Sequence, residues 1–146
     1  MVAVWRRKYG MEGGVNWYIE VMRKYAVFSG RARRQEYWMV VLFNVIIVLF
    51  LGIIDGMVDS DPEGSRSTLT TLYVLSILIP SLAVGVRRLH DTGRSGWWLL
   101  ISLIPIIGTI VLLIFAVRDS QPTDNKYGPN PTREIKAYHG YLASRP

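Results

Sequence analysis

Tyr37–Ile54, Leu69–Val86 and Trp97–Val117 contain no Asp, Glu, Lys or Arg, and they run for 18, 18 and 21 residues. A soluble core helix needs one apolar stripe, whereas these stretches are apolar all round. As continuous helices they would measure roughly 27–32 Å, the thickness of a hydrocarbon core. All 17 Lys and Arg and all 11 Asp and Glu lie outside them. That segregation argues against a soluble enzyme or a soluble nucleic-acid binder, and it predicts an all-α integral membrane protein. Spans are expected at about 37–54, 69–86 and 97–117. Some 36 residues precede the first, and no small-x-small cleavage site follows it, so it reads as a retained span and not a signal peptide.

The remaining segments divide as follows. Residues 1–15 read as an N-terminal extension with a basic patch at Arg6, Arg7 and Lys8, and Met11 is a second candidate start. Residues 16–131 form the membrane domain with its membrane-proximal tail, and 132–146 read as a flexible C-terminus. In Asn16–Phe28 the i, i+4 pair Trp17 and Val21 and the series Tyr18, Met22 and Tyr25 make one apolar-aromatic face, capped by Asn16. Such an amphipathic helix lies either in the headgroup layer or against the bundle's own surface. Pro80 predicts a kink in the second span, with a neighbouring group taking up the freed carbonyl. Pro105 and Gly108 predict another in the third. Pro122, Gly128, Pro129 and Pro131 disfavour regular structure in the tail, whose turn formers suit a segment that folds back over the membrane-proximal face.

Counted beside the spans, Lys and Arg place the N-terminus in the cytoplasm. With three crossings the cytoplasmic side holds eleven and the far side six, five of them in the tail. A re-entrant turn at Pro105–Gly108 would instead return the tail to the cytoplasm.

The chemistry-bearing residues fall in two clusters facing one compartment. Arg31, Arg33 and Arg34 precede the first span with Glu36; Arg87, Arg88 and Arg94 follow the second with His90 and Asp91. Six arginines and no lysine favour bidentate capture of phosphate or carboxylate, so these six are the candidate anion- or lipid-binding residues. The plainer reading is topogenic charge paired locally to Glu36 or Asp91. His90 and Asp91 are adjacent, so they do not converge on one ion, and the other histidine, His139, is far along the tail. No metal site and no cofactor is expected. Asp91 reads as a turn at Asp91-Thr92-Gly93, with Glu36, His90 and Asp91 kept as supporting or pH-sensing groups. The spans carry Asn44, Ser76, Ser81, Ser102 and Thr109 but no carboxylate at mid-depth, which disfavours an ion-coupled transporter. Asn44 reads as an interhelical hydrogen bond. No nucleophile elbow, phosphate loop or zinc motif is present, and the chain has no cysteine, so no catalytic residue is assigned.

Asn16-Trp17-Tyr18, Phe28–Arg34 with Glu36-Tyr37-Trp38, Arg87–Trp98 and Asp124–Pro131 together resemble the domain of unknown function 805 family of YhaH/YhaI-like bacterial inner-membrane proteins. The likeness covers about residues 16–131. It implies a small multi-spanning protein of the bacterial inner membrane and transfers no activity or catalytic residue. The expected function is a non-enzymatic membrane component whose cytoplasmic arginine collar binds anionic lipid headgroups or a partner protein, with homo-oligomerisation plausible and no nucleic-acid partner. The alternative is a small transporter or channel subunit for an anionic solute.

Overall fold

The computed structural model of the chain describes residues 18, 19, 21–58 and 68–144. The N-terminal extension, Asn16, Trp17 and the acidic residues Asp59, Asp61 and Glu63 lie outside them. Two long helices dominate: α1, Arg34–Val58, and α2, Thr68–Asp91. At 25 and 24 residues they measure roughly 36–38 Å, and both are long and apolar enough to cross a membrane. Leu49, Phe50 and Ile53 on α1 are each more than 60% exposed, an outward apolar surface that lipid suits and water does not.

The two helices pack antiparallel, and polar groups fix their register at both ends. At the far end Asp55 of α1 accepts the free amides of Leu69 and Thr70 in the first turn of α2, at 3.1 and 2.9 Å. Asp55 thus caps the following helix. In the apolar stretch the Tyr73 hydroxyl donates to Asn44 Oδ1 at 2.8 Å and lies 2.9 Å from the Tyr18 hydroxyl. Asn44 is thus the interhelical hydrogen bond its position predicts. Tyr73→Phe is expected to cost roughly 0.5–1.5 kcal/mol, read as a lower midpoint in a detergent–denaturant unfolding titration.

Helix α2 runs unbroken through Pro80. Proline has no N–H for the carbonyl four residues back, which belongs to Ser76. That carbonyl accepts from the Tyr25 hydroxyl at 3.1 Å. The donor comes from the N-terminal segment, which therefore packs against the bundle. Val21 there is fully buried with Ala32, Val40 and Val84, and the Tyr18 ring lies 5.7 Å from Phe43.

The third apolar stretch is not one helix. Gly96–Leu103 forms a 3-10 helix and Ile107–Val117 an α-helix, α3. Pro105 drives Ile104 into an extended conformation, ψ 106°. Ile106 then takes φ 68°, ψ −64°, a γ-turn closed by the Ile107 amide on the Pro105 carbonyl at 2.7 Å. The arms double back on each other: Trp98 meets Phe115 edge to face at 5.5 Å. A Cβ at Gly108 would collide with the Ile101 carbonyl, so glycine sets how closely the arms approach. Each arm measures about 16 Å, half a hydrocarbon core. The stretch is thus a hairpin of two short helices, and the continuous 97–117 span expected from the sequence is corrected accordingly.

Residues 119–130 then fold back over the end of α2. Regular structure resumes at Pro131–Ala143, helix α4, where a flexible terminus was expected. The prolines explain the difference. Pro131 occupies the first helical position, where its missing N–H costs nothing, and Asn130 Oδ1 accepts the Thr132 amide at 2.8 Å.

Candidate functional site

Antiparallel packing brings the start of α1, the end of α2, both ends of the hairpin and the tail to one end of the molecule. Helix α2 stops there because Gly93 adopts φ 78°, with the Gly93 amide on the His90 carbonyl and the Arg94 amide on the Leu89 carbonyl. The turn expected at Asp91-Thr92-Gly93 is present, but the Asp91 side chain does something else.

Asp91 is fully buried and holds two cations. Its Oδ1 accepts from Arg31 Nε at 3.0 Å, and its Oδ2 from Arg88 Nη1 and the Ser120 hydroxyl, both at 2.5 Å. Arg31 also donates to the carbonyls of Gln121 and Thr123 at 2.8 and 2.9 Å and, more weakly, of Gly128. Arg88 donates to the carbonyls of Ala116, Ala32 and Arg118. Buried guanidinium groups persist only when paired and hydrogen-bonded, and here most of the carbonyl partners belong to folded-back chain. Arg31 clasps the tail, and Arg88 clasps the end of α3.

Arg87 pairs with Glu36 at 3.0 Å across the helices, both side chains being buried, while its Nε and Nη2 have no acceptor among the described residues. His90 Nδ1 lies 3.3 Å from the Gly30 carbonyl, and its ring stacks on Tyr127 with centroids 3.7 Å apart. Its backbone carbonyl accepts from Asn125 Nδ2. Arg94 lies flat over the Phe115 ring, 3.9 Å from its centroid. Sequence reasoning missed the anchoring roles of Ser120, Gln121, Asn125 and Asn130. Their one signal was the density of turn-forming residues in that segment.

Arg33 and Arg34 stand apart from the clasps. They line a cleft of about 400 Å³ whose opposite wall is the tail and the first turns of α4. Gln35 belongs to the α1 side; Asp119 and Ser120, then Thr132 and Lys136, come from the other. Arg34 meets Asp119 at 3.0 Å, with the carboxylate largely exposed. Burial holds the Arg33 guanidinium below its ordinary value, opposed by Glu36 and Asp91. Among the described lining residues are three cations, Arg33, Arg34 and Lys136, and one carboxylate, Asp119, and the first residues of two helices, whose amide dipoles favour anions, line the same space. Among the described residues no group of three His, Asp or Glu side chains is placed to hold a metal ion.

Comparison with known proteins matches the chain to a family. The model of the family described as "Protein of unknown function (DUF805)" matches residues 25–129. The inner membrane protein YhaH of Escherichia coli is 43% identical over 120 residues, covering 82% of this chain and 99% of YhaH. The inner membrane protein YhaI of the same organism is 41% identical over 117 residues, covering 80% of this chain and 96% of YhaI. The uncharacterised protein YiiR is 30% identical over 79 residues. No solved structure matches the chain. The chain belongs to the DUF805 family, and it is a membrane protein whose relatives reside in the inner membrane.

Proposed function

We propose that this DUF805 family member is a non-enzymatic inner-membrane protein that crosses the membrane twice and keeps both termini in the cytoplasm. There it binds the phosphate of anionic lipid headgroups in the cleft between α1 and α4. The topology is supported by charge: with a re-entrant hairpin, only Arg66 of the 17 Lys and Arg stands on the far side. Reporters active only inside or only outside, fused to either terminus, are expected to report the inside at both. An outside C-terminus would overturn the two-crossing arrangement.

The observation that carries the ligand is the imbalance of Arg33, Arg34 and Lys136 over Asp119 in a cleft large enough for a headgroup. Of the six arginines first considered, Arg31, Arg87 and Arg88 are committed to Asp91, Glu36 and backbone carbonyls, so they hold the frame of the cleft. Replacing Arg33, Arg34 and Lys136 together by Gln is expected to weaken retention of phosphatidylglycerol by about 1 kcal/mol per charge. Lipid copurifying with the full chain, counted by mass spectrometry, measures this. Unchanged retention would sink the headgroup reading and leave a partner protein. The anionic-solute transporter gains less support, because Asn44, Tyr73 and Tyr18 in the helix pair are bonded to one another.

A further inference from the structure

Beyond the cleft, a second pair of arginines stands at the mouth of the hairpin. Arg94 leaves the turn that ends α2 and covers one face of Phe115; Trp98 touches the same ring edge-on. Trp98, Trp97, Ser95 and Ile101 line an open groove of about 500 Å³ along the first arm. Trp97 is 78% exposed, the state of an aromatic residue seated at a membrane interface. Arg118 ends the second arm, exposed. Burial first, then the Arg118 charge, holds the Arg94 guanidinium below its ordinary value. Among the described residues, the carboxylates nearest this pair in the sequence are engaged elsewhere, Asp91 with Arg31 and Arg88, and Asp119 with Arg34. Arg94 itself donates one hydrogen bond, a long one of 3.4 Å to the Thr92 carbonyl.

We propose that the hairpin mouth is a separate phospholipid site, in which Arg94 and Arg118 hold the phosphodiester and the Trp97–Trp98–Ile101 groove receives an acyl chain. The chemistry is complementary at both ends. Two neighbouring cations attract a phosphate, and a stacked guanidinium keeps its donor edge available while its face stays on the ring. The groove offers aromatic and aliphatic surface at the depth where a chain leaves its headgroup. This site needs only the hairpin to lie in the membrane, and it stands whether or not the α1–α4 cleft binds lipid.

The test uses the full chain in detergent micelles, titrated with dioleoyl phosphatidylglycerol and followed by native mass spectrometry. Arg94→Gln with Arg118→Gln is expected to weaken one binding step by roughly tenfold or more, from about 1 kcal/mol per charge. Trp97→Ala should weaken the same step, and Arg33→Gln with Lys136→Gln, which keeps the Arg34–Asp119 pair, should leave it intact. The proposal is overturned if the Arg94 and Arg118 changes leave every step unaltered, or if Trp97→Ala does. It is overturned equally if inorganic phosphate alone displaces the lipid completely, which would make the site one for a free anion. Trp97 is exposed, so its variant keeps the question answerable even if the arginine pair proves necessary for folding.

Discussion

Asp91→Asn is expected to cost about 3–5 kcal/mol and to release the tail from the end of α2. Asn keeps the shape but removes the single charge that holds Arg31 and Arg88, both buried with it. Two guanidinium groups would then remain out of water with carbonyl acceptors and no bonded counter-charge, a costly state for a cation. Because Arg31 holds the carbonyls of Gln121 and Thr123, and Arg88 those of Ala116 and Arg118, the loss spreads beyond the site itself. Hydrogen exchange of residues 116–130 in micelles is the direct readout, with thermal unfolding as the measure of size. Arg31→Met should cost less, since Asp91 keeps Arg88 and Ser120. Equal exchange in Asp91→Asn and the unaltered chain would mean that the ion network does not hold the tail.

That network explains why the sequence disclosed the membrane helices better than the site. Apolar runs of 18 residues announce crossing helices because the bilayer fixes their length, and α1 and α2 follow them closely. Asn44 and Pro80 were also legible, since each poses a local hydrogen-bonding problem that a neighbour must solve. The hairpin was harder. Trp97–Val117 satisfies the same length rule, and only the Pro105 and Gly108 pair marks the break. Asp91 was legible in part: pairing of the arginines to Glu36 or Asp91 is the plainer reading of the sequence, and the Arg87–Glu36 and Arg88–Asp91 pairs follow it. The other partners of Asp91, Arg31 and Ser120, lie 60 and 29 positions away. A cluster of six arginines likewise cannot announce which members are structural. Burial separates Arg31, Arg87 and Arg88 from Arg33 and Arg34, and burial is a property of the folded chain.

Gly108→Val should open the hairpin, and with it the whole end of the molecule that carries the arginines. A side chain at this position would overlap the carbonyl carbon and oxygen of Ile101, which are backbone atoms and cannot swing aside. Forcing extra volume into a fitted contact costs typically about 1–3 kcal/mol, and more where backbone must move. Separating the arms also shifts Ala116 and Arg118, whose carbonyls Arg88 holds, and Phe115, on which Arg94 rests. The tail should therefore loosen together with α3, seen as faster exchange across residues 107–130 and a lower unfolding temperature. Gly85→Ala supplies the comparison. Gly85 also faces the hairpin, but its added methyl would sit 3.5 Å from the Leu99 side chain, an ordinary contact. It should be tolerated, and the small helix preference of Ala over Gly favours it slightly. If Gly108→Val behaves like Gly85→Ala, the arms are not held at the close approach that makes this segment re-entrant. The tail's place beside the arginines would then need another cause.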